Sequence, residues 1–287
     1  MAGRLIRWLK AGVRGHGTAQ RDAAPYHHGW RHGPAGTDQQ ERTKGTGMRA
    51  THMADIIMVH GSWHGGWCWD DVSRILERAG HRAHAPTLRA PAKEPSESDK
   101  AIDLKTHVDQ FRTYLSELEV RDALAVFHSY SGMIAAWLAP ELRDLGVRGV
   151  ILLDAFVPGP NENTFDVVPY FGKNMRLEPS GWAMSIPAAR FLGIEDVEQA
   201  EAAHARLTLM PILTHTQAIP ADIRWPADFP ATYIRCLKYP YYADMRERVD
   251  GRPGWRWQEI DTGHDAMLSA PEELSRMILD TAAYYGL

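Results

Sequence analysis

Apolar residues follow two rhythms along this chain. Short, nearly unbroken runs at Ile56 to Val59, Ala123 to Phe127, Val147 to Phe156 and Ala231 to Leu237 read as strands covered on both faces, because a half-exposed strand would alternate. Between the runs, apolar positions fall three and four apart. Val72, Ile75, Leu76 and Ala79 form one helical face that closes at Gly80, where a C-cap is expected. Leu104, Val108, Phe111, Leu115 and Leu118 form the clearest helical face, and its expected role is core packing. His81 to Pro86 predicts a second strand, Met133 to Leu138 a helix directly after the Ala123 run, and Trp255 to Ile260 a last strand. Ser269, followed by Pro271 and Glu272, predicts a capped start for a final helix carrying Leu274, Met277, Ile278 and Ala282. Strand and helix in alternation predict an α/β fold, a mostly parallel sheet with helices on both faces.

Three stretches break the alternation. Residues 1–52 hold little apolar periodicity beyond Leu5, Ile6, Trp8 and Leu9, and the first 50 carry nine Lys/Arg against three Asp/Glu. Such a stretch cannot bury enough apolar surface to order itself, so a disordered basic tail is expected, with a transit peptide or membrane-surface tether as the alternative. It lacks the apolar core of a secretory signal, and the domain is expected to span 53–287. Pro91 to Lys100 reads as a polar loop. After Pro158-Gly159-Pro160, residues 160–228 carry Phe165, Tyr170, Phe171, Trp182, Phe191 and Trp225 among prolines and predict a small helical cap over the C-terminal edge of the sheet.

Composition narrows the function classes. With 287 residues and 44% hydrophobic content, the chain can bury one sizeable core. A net charge of −4 provides no field for collecting nucleic-acid phosphates, and no apolar run approaches the roughly 18 residues of a membrane span. Cys68 and Cys236 stand far apart, which suggests neither a disulfide framework nor a zinc site. A cytoplasmic protein without cofactor or metal, binding a small molecule and neither nucleic acid nor membrane, is expected; a homodimer is left open.

The residues with chemical potential fall at the ends of predicted strands: His60-Gly61-Ser62, Ser129, Asp154 and His264. Ligands of parallel α/β sheets bind beyond those ends. Ser129 occupies a strand-to-helix turn, the setting of a nucleophile elbow, although the usual G-x-S-x-G is here Phe127-x-Ser129-x-Ser131 followed by Gly132. His60 and His64 have no carboxylate or cysteine spaced with them as metal ligands would, so loop-structuring or pocket-wall roles are expected. His128 is expected to pack the elbow, and Cys68 to be a small buried residue.

The stretch His60-Gly-Ser-Trp-His-Gly-Gly-Trp-Cys-Trp69 resembles the His-Gly-x-x-His-Gly-x-Trp-x-Trp signature of the α/β-hydrolase superfamily's group of small plant methylesterases, hydroxynitrile lyases and bacterial esterase relatives. His128 to Met133, Leu153 to Pro158 and Gly263 to Met267 are similar to other pieces of that group. The resemblance covers residues 54–287. It implies an α/β-hydrolase fold, Ser129 as nucleophile, His264 as general base, and an oxyanion hole from the backbone N–H groups of Ser62 and Tyr130. Relatives commonly place the acid just after the strand equivalent to Thr232 to Leu237, but no carboxylate occurs there before Asp244, so Asp154 is expected to complete the triad. Trp63, Phe127 and Trp182 are the expected pocket residues, with Phe127 either resetting the elbow or forming the pocket floor, and Ser131 is expected to touch substrate or the helix N-terminus.

The implied function is a serine hydrolase that cleaves a small aromatic or apolar carboxylic ester, carbamate or amide through an acyl-enzyme. Alternatives on the same fold are a hydroxynitrile lyase, a cofactor-free dioxygenase and a non-catalytic ligand receptor. Many of the lyases resemble one another in a lysine after the catalytic histidine; Asp265 stands there and would repel cyanide.

Overall fold

The computed structural model describes residues 53–92 and 95–287. The expected tail at 1–52 lies outside the described residues. In chain order the described elements are β1 (Asp55–Val59), α1 (Asp70–Arg78), β2 (Arg82–His84), α2 (Glu97–Lys100), α3 (Leu104–Leu118), β3 (Ala123–His128), α4 (Ser131–Leu138) and β4 (Val147–Leu153). The chain continues through α5 (Thr164–Val167), α6 (Pro169–Asn174), β5 (Ala183–Met184), α7 (Val197–His204), β6 (Met210–Pro211) and α8 (Leu213–Thr216). It closes with β7 (Ala231–Cys236), α9 (Met245–Val249), β8 (Trp255–Ile260), α10 (Ala266–Ser269) and α11 (Pro271–Tyr285).

Six parallel strands form the sheet in the order β2-β1-β3-β4-β7-β8. The unbroken apolar runs became the interior strands. Every residue of β1, β3 and β7 is buried, and β4 exposes only Arg148. Edge strands β2 and β8 are partly solvated. After β1 the chain moves outward to β2 and then returns to β3 on the other side of β1, so the crevice between the ends of β1 and β3 is a topological switch point. His60-Gly61-Ser62 leaves one of these strands and Ser129 the other.

Helix α1 ends as its sequence suggests, with Gly80 at φ +93° while the N–H groups of Gly80 and His81 bond back to Glu77 and Leu76. Asp103 and Thr106 cap α3 reciprocally, and Val108, Phe111 and Leu115 bury its apolar face. Two local expectations need correction. The polar loop at 91–100 contains helix α2, because Ser96 and Asp99 form a capping box that fixes its first turn. Ser269 is not the N-cap of the last helix: it ends α10, with its hydroxyl donating to the Asp265 carbonyl, and Ala270 precedes Pro271 at the first helical position.

Between β4 and β7 the chain makes four short helices, further turns and the two-stranded antiparallel ribbon β5–β6, an element absent from the purely helical expectation. This segment meets the loop after β8, at the carboxyl end of the sheet, through backbone at Leu192 and Gly193. The Asp265 N–H bonds the Leu192 carbonyl at 3.0 Å. A Cβ built on Gly263 would lie 1.7 Å from the Gly193 carbonyl oxygen, and neither partner is a side chain that could swing aside. Gly263→Ala should therefore lower stability in urea by about 1–3 kcal/mol, the range for overpacking. A midpoint equal to wild type would mean that this crossing is looser than described.

Candidate active site

Ser129 lies just past β3 at φ +54°, a left-handed conformation costly for a non-glycine residue. Backbone bonds hold the turn: Ser129 N–H to the Leu153 carbonyl at 3.2 Å, and Phe156 N–H to the Ser129 carbonyl at 3.0 Å. Gly132 provides the closest helix approach, since a Cβ there would lie 2.1 Å from the Phe156 oxygen. Position 131 does not need glycine. The Ser131 hydroxyl, on the first residue of α4, is buried and lies within hydrogen-bonding distance of the carbonyls of Val59 (3.0 Å) and His128 (2.8 Å), at the helix N-terminus and away from the cavity over Ser129.

His264, in the loop after β8, joins two groups from other strands. Its Nε2 is 3.0 Å from Ser129 Oγ and its Nδ1 is 2.8 Å from Asp154 Oδ2. Asp154 is fully buried at φ +39° at the end of β4. Arg235, near the end of β7, donates to Asp154 Oδ1 at 2.7 Å, and the Cys236 N–H adds a bond of 3.3 Å. The same guanidinium donates to the carbonyls of Cys236 and Tyr239. Asp244, the other candidate acid, is exposed at the N-cap of α9. Arg235 was missed in the sequence, although an arginine inside an otherwise buried strand run was a legible sign of a buried counter-charge.

Ser62 follows β1, and its loop presses against the elbow: a Cβ on Gly61 would meet Ser129 Cβ at 2.8 Å. Among the described residues, neither the Ser62 nor the Tyr130 backbone N–H donates to a protein acceptor, although both residues are buried. Buried N–H groups are nearly always paired, so two donors left free beside Ser129 stand out.

Histidines grip this loop. His60 Nδ1 is 2.8 Å from the Gly61 carbonyl, which belongs to the same peptide as the Ser62 N–H, while His60 Nε2 accepts from Leu88 N–H at 2.9 Å. Burial holds His60 neutral, with its pKa lowered to about 3. His64 differs: Nδ1 faces the Ser62 carbonyl at 2.8 Å and Nε2 faces Asp265 Oδ2 at 3.0 Å, so both nitrogens must donate. Burial opposes that charge, but the Asp265 carboxylate and the two hydrogen bonds outweigh it and raise the His64 pKa. Asp265 thus forms a buried ion pair, a role its sequence position did not suggest. Burial drives the His128 pKa well down, and its Nε2 bonds the His264 carbonyl at 3.1 Å.

A cavity of about 410 Å³ opens over Ser129 and His264. Its walls include Trp63, Phe171, Phe191, Tyr239 and Tyr241, drawn from separate chain segments. Tyr239 stacks on His264 with ring centroids 4.3 Å apart, and Tyr242 meets the same ring edge-on at 5.2 Å. Trp63 therefore stands where expected, whereas Phe127 and Trp182 do not line the cavity. Phe127 is fully buried and packs edge-to-face on Phe111 of α3 at 5.5 Å, because its position on β3 turns it toward that helix. His128, His264 and Asp265 place potential metal-ligand atoms within 4.8 Å of one another, but both nitrogens of His264 are engaged by Ser129 and Asp154. Cys68 and Cys236 are free and buried. Among the described residues, no helix is long and apolar enough to cross a membrane.

Comparisons with known proteins identify the family and the fold. The model of the family described as "Alpha/beta hydrolase family" matches residues 56–277. The chain is 28% identical over 247 residues to the carbendazim hydrolyzing esterase of Nocardioides sp., covering 79% of this chain and 98% of that protein. It is 32% identical over 257 residues to methylesterase 1 of Arabidopsis thaliana, covering 79% and 95%. The fold also resembles the crystal structure of a pyrethroid hydrolase from Sphingobium faniae, with a TM-score of 0.62, 23% identity, and coverage of 80% and 98%.

The histidines give the protein a characteristic acid response. Burial lowers the pKa values of His60, His107 and His215 from 6.5 to about 3, about 4 and about 3. Below pH 6.5 the unfolded chain binds protons at these sites that the folded chain refuses. These three sites therefore lower stability as pH drops from 6.5 toward 4. His64 has the opposite sign: its raised pKa contributes stability below 6.5 that is lost as pH rises through the folded value. Urea midpoints should climb steeply from pH 4.5 to 6.5 and then level or decline; a flat acid limb would contradict neutral burial.

Proposed function

Because the chain belongs to the alpha/beta hydrolase family, whose members named above are esterases and hydrolases, we propose that this enzyme is a serine esterase acting on a small aromatic or apolar carboxylic ester. The observation that carries this reading is the continuous relay from Asp154 Oδ2 to His264 Nδ1 (2.8 Å) and from His264 Nε2 to Ser129 Oγ (3.0 Å), opening into an aromatic cavity.

In the proposed cycle, Asp154 accepts the Nδ1–H of His264 and fixes the tautomer whose Nε2 lone pair faces the Ser129 hydroxyl. Ser129 Oγ attacks the ester carbonyl carbon while its proton passes to Nε2, and the carbonyl π pair moves onto oxygen. The Ser62 and Tyr130 N–H groups donate to that oxyanion, each worth about 100-fold to 1,000-fold in turnover by analogy with other such donors. Collapse expels the alcohol, which takes the proton from His264, and leaves Ser129 acylated. Water then repeats the sequence and releases the acid. The imidazolium formed twice per cycle is stabilised by the Asp154 charge and by the face of Tyr239.

Aromatic walls favour an apolar acyl or alcohol group, and the carbendazim-hydrolyzing and methylesterase relatives support ester chemistry. Carbamates and amides are variants that the same steps accommodate.

Wild-type protein should hydrolyse members of a panel of 4-nitrophenyl esters, aryl methyl esters and carbendazim, and a fluorophosphonate probe should label Ser129. Asp154→Asn should cut turnover by orders of magnitude, up to about 10,000-fold, whereas Asp244→Asn should leave it unchanged. A wild type that neither turns over the panel nor accepts the probe would refute the esterase reading. Full activity in Asp154→Asn would remove Asp154 from the relay.

A further inference from the structure

His215, on α8 between β6 and β7, reaches the loop that bears the Ser62 N–H. Its Nε2 is 2.9 Å from Ser62 Oγ, its Nδ1 is 2.7 Å from Thr214 Oγ1, and Thr214 Oγ1 is 2.6 Å from the Pro211 carbonyl. Chemistry fixes the direction of this chain. A carbonyl can only accept, so the single Thr214 hydroxyl proton is committed to Pro211. His215 Nδ1 must then donate to Thr214, and in a neutral imidazole Nε2 is left as an acceptor for the Ser62 hydroxyl. Thr214 and His215 are fully buried and Ser62 is nearly so, which makes each bond costly to lose.

The same ring also supports the second oxyanion donor. It stacks on the Tyr130 ring with centroids 4.6 Å apart and planes within 14°, and the Tyr130 hydroxyl lies 3.0 Å from His107 Nδ1. His107 Nε2 faces the Arg89 carbonyl at 2.8 Å and so carries the proton, leaving Nδ1 to accept from Tyr130. Ser62 and Tyr130 come from different strand ends, and His215 is a side chain that touches both. His60 and His64 anchor the Ser62 loop to Leu88 and Asp265, and their hydrogen bonds do not reach Tyr130.

We propose that His215 is a positioning residue of the oxyanion hole: it sets the distance between the Ser62 and Tyr130 N–H groups, making α8, which does not itself line the cavity, part of the catalytic apparatus. This inference rests on the esterase reading of the same site. Ordinary burial of a histidine under the cap would explain the packing, but it would not make the Ser62 hydroxyl matter to turnover, since the oxyanion donor is the Ser62 backbone.

The test is a double-mutant cycle on the full chain with Ser62→Ala, His215→Leu, the double variant and His215→Gln. Each is assayed with a 4-nitrophenyl ester and for the rate of fluorophosphonate labelling of Ser129, with thermal unfolding measured in parallel. Ser62→Ala and His215→Leu should each lower kcat and labelling rate by about 10-fold to 100-fold with KM little changed. The double variant should be no worse than the poorer single. His215→Gln, whose side-chain oxygen can accept from Ser62, should recover most of kcat. A Ser62→Ala protein with wild-type kcat overturns the proposal whether or not His215→Leu folds. So does a His215→Leu protein that loses thermal stability but keeps kcat. If wild type fails to label and to turn over any ester, the esterase reading fails and this inference falls with it; that outcome is distinct from a labelled wild type with unaffected variants.

Discussion

A buried carboxylate needs partners for both of its oxygens, and the candidate site depends on the ones Asp154 finds. Arg235 donates to Oδ1 at 2.7 Å, in a place where both side chains are almost wholly removed from water. With Oδ1 occupied by Arg235 and Cys236 N–H, Oδ2 is left to meet His264. The guanidinium also fixes the carbonyls of Cys236 and Tyr239, and the Tyr239 ring lies flat against His264. One buried ion pair thus orients the acid, the histidine and the aromatic face beside it. Deleting Arg235 would strand a charge, a more severe change than losing a surface pair.

Strain gathers at the same place. Trp63, Ser129 and Asp154 all have positive φ, and each lies just beyond the end of a different interior strand. Such conformations persist only where surrounding contacts over-determine them. Here the ladder between β3 and β4 continues past the strands into the Ser129 bonds with Leu153 and Phe156. Tight backbone crossings at Gly132 against Phe156 and at Gly263 against Gly193 leave no room for relaxation.

The five histidines His60, His64, His107, His128 and His215 surround Ser129 and His264 without occupying the relay. Their charge states differ because their acceptors differ. A histidine between a donor and an acceptor, as His60 is between Leu88 N–H and the Gly61 carbonyl, satisfies both in its neutral form. His64, between a carbonyl and the Asp265 carboxylate, can satisfy both only as a cation. The histidines therefore form a polar frame in which burial suppresses charge at His60, His107, His128 and His215, while the hydrogen-bonded Asp265 carboxylate stabilises it at His64.

Much was legible in the linear chain because it was local. Unbroken apolar runs announced the interior strands, three-and-four spacing announced α1 and α3, and motif spacing put Ser129, His264 and the Gly61-Ser62 loop at strand ends. Side-chain direction and long-range pairing were not local. Whether Phe127 entered the pocket depended on which face of β3 met α3, and Trp182 was placed by the β5–β6 ribbon. The choice between Asp154 and Asp244 depended on Arg235, which becomes a counter-charge only when β4 and β7 lie side by side. His215 carried no signal at all: it is one histidine in a segment without periodicity, and its partner Ser62 is 153 residues away. The sequence determined the strands and the reactive residues at their ends, because burial period and turn chemistry act within a few residues. Tertiary structure alone decided which charges and hydroxyls hold those residues in register, because desolvated partners are chosen by proximity in space.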